Sequence, residues 1–488
     1  MVRRRRRTTL RESRGTCKIP PEIPGRFRAL RHHPMKLLAC IFALSLLLTE
    51  GRLLGTLTLG KSRCALLWSL ALPLAAVSNV LLVFLCTVIG AKLSPLVLLG
   101  GHALVIATLL WLRSRRQISD DACPSIDLPP RPAVRQRRSY RICCTLLLTA
   151  IFSFSAIHAL VLHSFSIDSF TNWTMRSRVS FEDRAIAFDR TEARGVAKPQ
   201  YPILVHSLQI VVNQIGPWSD RAANAVTFLF SWTSLFAAFL MLRKLRGTDA
   251  ALMGMTLVAG IPLMSIHLAQ GYGDVHLTTY LMLSFLSLAL FEQTGEVRWA
   301  TLSGLCVLGA LWTKSEGLYF GYLPWVAFGT LIAWRRGRMR PWRSLLAVPL
   351  FAFLPFLVFL QLKGYGLTPH DSDFSLAWHP EGVSMFFAAL WELGSLGVTW
   401  ILAPIAALLL LRHHRHPAIH ASAFPALLWP LAIIAMNAVI YLATPNVAFL
   451  LNGQSFARQM MPASALVILA LVLMVGTWPG NAERSHTV

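Results

Sequence analysis

The stretch SIDSFTNWTMRSRVSFEDR, residues 166–184, brings several ionisable side chains directly after a long apolar run. Its first carboxylate is Asp168, and arginines and two further acids, Glu182 and Asp183, follow it. Ionisable groups beside apolar spans are costly, so they indicate function by default. A carboxylate near a helix end is also an ordinary capping residue, and Asp168 alone therefore does not define a site.

Four further segments carry polar and ionisable residues next to apolar runs. They are RGVAKPQYPILVHSLQ (194–209), AQGYGDVHLTTY (269–280), LWTKSEGLYFGY (311–322) and TPNVAFLLNGQSFARQMMP (444–462). The Pro199 and Pro202 pair in the first segment predicts a turn or an extended stretch of backbone. In the other three segments the charged residues lie next to the end of a predicted apolar span.

Each of these charges has a structural alternative. Asp274 and His276 suit the first turn of a helix, where they would cap it. Lys314, which lies with Glu316 between two spans, could extend its ammonium to the membrane interface. Arg458 could anchor the last span there. Taken together, one carboxylate able to accept a proton and several cations on one face of a membrane favour a shared site.

This set of side chains suits glycosyl transfer from a lipid-linked sugar phosphate. Asp168 would act as general base on an acceptor hydroxyl, and arginine and lysine would neutralise the polyprenyl phosphate that leaves. One carboxylate acting in a single displacement predicts inversion at the sugar. Protein cations can serve a monophosphate leaving group, so no cofactor is required, although a divalent metal is compatible with this chemistry.

The elements that must position these residues are membrane helices. Hydrophobic residues make up 55% of the 488-residue chain and charged residues 14%, whereas soluble domains have about 25% charged residues. A helix needs roughly 20 apolar residues to span a bilayer. The sequence therefore predicts an all-α polytopic membrane protein with about thirteen spans. The predicted apolar runs are 35–49, 65–91, 94–112, 141–163, 222–242, 249–269, 274–291, 299–313, 317–334, 344–363, 386–411, 421–443 and 460–476.

The basic loops predict the orientation of the chain. Segments rich in arginine at 113–140, 243–246, 335–343 and 412–416 should be cytoplasmic, which puts 164–221 and the other charged junctions outside. This distribution explains the net charge of +24 without nucleic acid as a partner.

The amino-terminal residues conflict with this orientation. Thirteen spans with a cytoplasmic carboxyl terminus put the Arg3–Arg7 run outside, against the positive-inside rule. Either 35–49 does not span, or translation begins at Met35; the basic residues Arg52, Lys61 and Arg63 after 35–49 favour the second option.

Five motifs in order resemble the bacterial membrane glycosyltransferases of the GT-C fold, the class that includes protein mannosyltransferases and aminoarabinose lipid A transferases. They are DSFTNWTMRS (168–177) for D-x-x-x-x-W-x-x-K-A, PQYPIL (199–204) for PDYPLL, GYGDVHLT (271–278) for GYADLPLA, WTKSEG (312–317) for LTKNEG, and Thr444, Pro445 and Arg458 for a TP…R segment. The resemblance covers roughly residues 140–465.

The resemblance implies that Asp168 is the catalytic carboxylate and that short amphipathic helices lie in the first large external loop. It also implies that the donor phosphate and substrate are bound by Arg176, Lys198, Tyr201, Asp274, His276, Lys314, Glu316 and Arg458. Two positions depart from the pattern. Arg176 replaces a lysine and keeps the cation, and Gln200 replaces the aspartate of PDYP and removes a carboxylate.

The sequence thus predicts a hexosyl or pentosyl transferase in the bacterial inner membrane, using a polyprenyl-phosphate sugar and a cell-envelope acceptor at the external face of the bilayer. The alternative is a membrane transporter or lipid flippase. The predicted division is 1–34 basic tail, 35–112 membrane helices, 113–140 cytoplasmic basic loop, 141–476 catalytic membrane module with external loop 164–221, and 477–488 cytoplasmic tail.

Overall fold

A computed structural model describes nine parts of the chain. These are residues 34–60, 64–115, 138–161, 168–188, 196, 198–365, 376–413, 417–453 and 455–475. Nearly all of the predicted amino-terminal tail, most of the 113–140 loop and the predicted carboxyl-terminal tail lie outside the described residues. The regular structure within these parts is helical.

Four long helices come first along the chain. They are α1 (Pro34–Leu59), α2 (Cys64–Val88), α3 (Pro95–Arg115) and α4 (Arg138–Leu160). The segment after α4 contains a π-helical turn and two short helices, as predicted for the first large loop. These are the turn Ser169–Thr174, α5 (Met175–Asp183) and α6 (Leu204–Val212). Every residue of α6 is buried, because α6 packs among α1, α2, α5 and α7.

The remaining helices form the rest of the bundle. They are α7 (Asp220–Arg246), α8 (Thr248–Ala259), α9 (Pro262–Leu268), α10 (Gly273–Thr294), α11 (Val297–Thr313), α12 (Leu323–Arg335), α13 (Met339–Leu362), α14 (Val383–Leu390), α15 (Leu393–Leu396), α16 (Thr399–His413), α17 (Pro417–Leu442), α18 (Val447–Leu451) and α19 (Phe456–Val475). A π-helical turn, Gly317–Tyr322, leads into α12, and a 3-10 turn, Pro380–Gly382, leads into α14.

Within the described residues, eight helices are long and apolar enough to cross a membrane. The pair α8 and α9, bent by 81° at a short break, would make nine if it counts as one span. Of the other predicted runs, 299–313 and 317–334 coincide with the shorter helices α11 and α12, and 421–443 coincides with α17. The chain is a multi-pass membrane protein, and the predicted number of thirteen spans is not confirmed.

Two predicted runs differ from the helices found. The first run does not end at residue 49, because α1 continues to Leu59 through Glu50 and Arg52. Glu50 is buried, and its carboxylate lies 2.6 Å from His102 Nδ1 on α3, which compensates for its burial. The run 386–411 is broken into α14, α15 and α16; Gly397, with φ of 63°, turns the chain between the last two.

Helix α10 lies at the centre of the bundle. In its most apolar stretch 94% of the residues are buried, against 17% in α3 and 17% in α4. Helix α10 packs against α7, α11 and α19. Helices α3 and α4, in contrast, have largely exposed apolar faces that suit contact with lipid. The first turn of α10 therefore emerges in the middle of one end of the bundle.

Candidate active site

Six parts of the chain meet around one cavity of about 200 Å³. They are the π-helical turn after α4, the connection before α6, the start of α10, the end of α11, α18 and the start of α19. The cavity is lined by Asp168, Asn172, Lys198, Tyr201, Asp274, Lys314, Glu316, Phe449, Ser455, Arg458 and Gln459. Seven of the nine residues expected at a site lie in this lining.

Asp168 and Arg458 form an ion pair at this cavity. The guanidinium of Arg458 donates to Asp168 Oδ2, and Asn172 Nδ2 donates to Asp168 Oδ1 at 3.4 Å. The side chains of Asp168 and Arg458 are 35% and 30% exposed, so both can reach a ligand. Arg458 also lies over the ring of Tyr272, 5.9 Å from its centroid. The pair therefore joins a proton acceptor to a planar anion-binding group.

Lys314 lies deeper, between two carboxylates. Its Nζ is 2.8 Å from Asp274 Oδ1 and 3.0 Å from Glu316 Oε1. The side chains of Lys314, Asp274 and Glu316 are 9%, 3% and 5% exposed. Burial alone would lower the pKa of Lys314, but the two carboxylates outweigh it and raise that pKa above its ordinary value. This buried triad, one ammonium between two carboxylates, forms the floor of the cavity.

Local backbone conformation directs the triad into the cavity. Lys314 ends α11 in an extended conformation, with φ of −151° and ψ of 153°. Gly317 then lets the chain pass close to α11, since a Cβ at Gly317 would lie 2.2 Å from the carbonyl oxygen of Ala310. Lys314 and Glu316 consequently face Asp274 from one short connection.

Aromatic residues form the wall behind Asp168. The buried Trp173 ring packs against Gly273, where a Cβ would lie 2.2 Å from the ring. The same ring stacks on His206 at a centroid distance of 5.4 Å and lies 5.9 Å from Tyr201. Burial raises the pKa of Tyr201 to about 12, so its hydroxyl keeps its proton at neutral pH and can donate to a ligand.

Two expected ligand-binding residues, Arg176 and His276, lie outside the cavity lining. Arg176 is buried; its Nε donates to Ala187 O at 3.0 Å and its Nη1 to Tyr201 O at 2.7 Å. Burial lowers the pKa of Arg176 to about 9. His276 stacks on Phe230 at 4.4 Å. Both hold the chain around the site, Arg176 by tying down the segment that carries Tyr201.

Sequence reasoning missed four lining residues, Asn172, Phe449, Ser455 and Gln459. Asn172 lies one helical turn after Asp168, and Gln459 is next to Arg458. Their spacing from these two charged residues could therefore have predicted that they lie at the site. The other two carboxylates in the lining, Asp274 and Glu316, were both expected there as binding residues. Among the described residues, no group of three or more His, Cys, Asp and Glu side chains could hold a metal ion.

The fold resembles that of ArnT from Cupriavidus metallidurans. The structure of that protein bound to undecaprenyl phosphate matches with a TM-score of 0.50 and 17% identity, over 70% of this chain and 61% of that chain. Its apo structure matches with a TM-score of 0.48 and 17% identity, over 71% and 62%. The chain thus spans less than two thirds of the ArnT length. The sequence matches no protein-family model and no curated protein. The GT-C fold predicted from the five motifs is confirmed.

Proposed function

We propose that the chain is an inverting membrane glycosyltransferase. It would move a hexose or pentose from a polyprenyl-phosphate carrier to a hydroxyl of a cell-envelope lipid, polysaccharide or protein. The observation that carries this proposal is the half-buried Asp168–Arg458 pair at the cavity. The pair brings together the two groups that the reaction needs, a base for the acceptor and a cation for the phosphate. The ArnT structure of the same fold was determined with undecaprenyl phosphate, which supports this class of donor.

In the proposed reaction, Asp168 accepts the proton of the acceptor hydroxyl as its oxygen attacks the anomeric carbon. The bond between that carbon and the phosphate oxygen breaks, and its electron pair remains on the phosphate. One new carbon–oxygen bond replaces one broken bond, so a single displacement inverts the anomeric centre. The proton on Asp168 is then free to leave with the product phosphate or to water.

Arg458 and Lys198 are the cations proposed to bind the donor phosphate. A guanidinium has five N–H donors in a plane, so Arg458 can contact the phosphate while it still donates to Asp168. That double contact would hold the carboxylate beside the reacting bond. Lys198 is half-buried and lines the same cavity. Charge-assisted bonds from both would stabilise the extra negative charge that the phosphate gains as the sugar leaves.

Lys314 has a different proposed role from the one implied by the sequence resemblance. Its ammonium already lies within 3.0 Å of both Asp274 and Glu316, so it shapes the cavity rather than offering a free positive charge. Asp274 and Glu316 are in turn both paired with Lys314. That leaves Asp168 as the carboxylate proposed to act, and keeps the two others from serving as nucleophiles in a retaining mechanism.

The cavity is proposed to open at the external face of the bacterial inner membrane. The positive-inside rule supports this side, because α7 and α12 carry basic residues at the ends opposite the cavity, Arg243, Lys244 and Arg246 on the first and Arg335 on the second. A polyprenyl carrier would then lie in the outer leaflet, with its phosphate at the level of Arg458.

A transporter or flippase remains the second candidate, because of the break between α8 and α9. Broken helices near a ligand site are common in transporters, and His267 on α9 stacks on Tyr272 beside the cavity at 4.1 Å. The charges, however, gather at one end of the bundle, where a transferase needs them.

Reconstitution of the purified protein in liposomes separates the two functions. The donors are polyprenyl-phosphate hexoses and pentoses, and the acceptor is an envelope extract of the host. We expect polyprenyl phosphate to be released only when acceptor is present, and the product to have the anomeric configuration opposite to that of the donor. Absence of release with every donor, together with movement of a labelled polyprenyl-phosphate sugar between leaflets, would establish transport instead.

A further inference from the structure

A second cavity, of about 270 Å³, lies among the first three helices. It is lined by Thr49, Arg52, Leu53, Thr56, Leu67, Trp68 and Arg113. These residues come from the second half of α1, the start of α2 and the last turn of α3. None of them was singled out as a site residue in the sequence, and the proposed transfer reaction makes no use of them.

This cavity is at the end of the bundle opposite Asp168. Arg298, at the start of α11, donates to the carbonyl oxygen of Leu59 at the end of α1. Helix α11 has 17 residues, which separates its start from Lys314 by about 25 Å at 1.5 Å per residue. Likewise, Leu93, just before α3, bonds to Arg184 near the candidate active site, so Arg113 near the end of α3 lies far from it.

Two arginines give the cavity its positive charge. Arg52 stacks on Trp68, with its guanidinium carbon 4.5 Å from the ring centroid. A stacked guanidinium keeps its N–H edge available for an oxyanion. Arg113 enters the same space from α3. In the described part of the chain, neither arginine has a carboxylate within ion-pair distance; the acid closest in sequence, Glu50, is buried against His102.

The apolar part of the lining fits a lipid better than a soluble anion. Leu53 and Leu67 are buried in the wall, while Trp68, 42% exposed, and Trp111, 56% exposed, lie at this end of the helices. Tryptophan side chains at the ends of spans mark the level of the lipid headgroups. Basic pockets between membrane helices at that level bind phosphate-bearing headgroups.

We infer that this cavity is a phosphate-binding site for the headgroup of an anionic lipid in the leaflet opposite the candidate active site. Arg52 and Arg113 would contact the phosphate, and Leu53 and Leu67 the start of the acyl chains. By the orientation proposed above this is the cytoplasmic leaflet. The residues that line the cavity come from α1, α2 and α3, and the inference does not rest on the proposed transfer reaction.

The test measures binding of lipid to the delipidated protein in a neutral detergent. Phosphatidylglycerol, phosphatidylcholine and inorganic phosphate are titrated, and bound lipid is counted by native mass spectrometry alongside thermal unfolding. We expect phosphatidylglycerol to bind to the wild type and to raise its unfolding temperature. Arg52→Gln with Arg113→Gln should weaken that affinity on the order of tenfold or more, because charge-assisted bonds are lost.

Arg115→Gln is the matched control, because Arg115 is exposed on the same last turn of α3 but does not line the cavity. It should bind phosphatidylglycerol like the wild type. The single variant Arg113→Gln covers the case in which the double variant does not fold. Equal affinity in wild type and variants, or equal affinity for phosphatidylcholine, would overturn the site. Equal stabilisation by inorganic phosphate would overturn the assignment to a lipid.

Discussion

Burial separates the roles of two cations that look equivalent in the sequence. Arg458 and Lys314 both lie at the end of an apolar run, and both line the cavity. Arg458 is 30% exposed and contacts a carboxylate that is itself accessible. Lys314 is 9% exposed and lies between two buried carboxylates. The first can bind a ligand, whereas the second is needed to keep two negative charges in the protein interior.

Replacement of Lys314 should therefore act on stability. Lys314→Met removes the ammonium that lies within 3.0 Å of both buried carboxylates, Asp274 and Glu316, and breaking a buried pair in this way costs about 3–5 kcal/mol. We expect a clear fall in the thermal unfolding temperature in detergent, measured by intrinsic tryptophan fluorescence.

Lys92→Met provides the comparison, since Lys92 is exposed in the short connection between α2 and α3; its unfolding temperature should match that of the wild type. If Lys314→Met unfolds like the wild type and only loses affinity for the donor, then Lys314 is a direct ligand of the phosphate and not a structural counter-charge.

One aromatic contact between elements positions Asp168, the proposed base. Asp168 immediately precedes the π-helical turn Ser169–Thr174, and Trp173 in that turn lies against Gly273 at the start of α10. The ring also stacks on His206, whose Nδ1 lies 2.9 Å from Ser177 Oγ. The turn is thus packed against α6 and α10.

Adding one methyl group at this contact should disturb the site. In Gly273→Ala the new Cβ would lie 2.2 Å from the Trp173 ring, so the ring and the turn that carries it must move. Misplacement of a catalytic group by about 1 Å can cost on the order of a hundredfold in rate. We expect sugar transfer by Gly273→Ala to fall by about that factor.

Two further variants control this experiment. Gly100→Ala on α3 meets no atom within 4 Å and should transfer sugar normally. Gly273→Ala combined with Trp173→Leu, which makes room for the methyl group, should recover part of the lost rate. Normal transfer by Gly273→Ala alone would show that the packing of Trp173 does not position Asp168.

The sequence predicted the helices better than it predicted their ends or the direction of their side chains. Apolar runs locate spans because hydrophobicity is a local property. The extension of α1 depends on His102, which lies 52 positions from Glu50 and carries no local signal. Arg176 and His276 lie within the motif segments, yet neither lines the cavity, since the direction of a side chain on a helix depends on tertiary packing.

The candidate site is assembled from distant parts of the chain. Asp168 and Arg458 are 290 positions apart and meet in one ion pair. Their proximity follows from the central position of α10, which packs against α19 and whose first residue, Gly273, lies against Trp173 in the turn after α4. Motif order could predict that these residues belong to one site, but not which of them touch.

The bundle also has two chemically different ends. The cavity with Asp168 carries three acidic and three basic side chains in its lining, so it is formally balanced before a ligand arrives. The cavity with Arg52 carries two basic side chains and no acidic one among the described residues that line it. A balanced site suits turnover of an anion that must leave, and an unbalanced one suits an anion that stays.

The transfer rate of Asp168→Asn, measured with a polyprenyl-phosphate sugar and an envelope acceptor, shows whether Asp168 is the base. Asparagine keeps the shape of the side chain but cannot accept the proton, so we expect normal folding, retained donor binding and a loss of at least about a hundredfold in rate. Glu182→Gln is the control, because Glu182 is exposed and pairs only with Arg178 among the described residues; it should transfer sugar at the wild-type rate. Transfer at the wild-type rate by Asp168→Asn would contradict the assignment of Asp168 as the base.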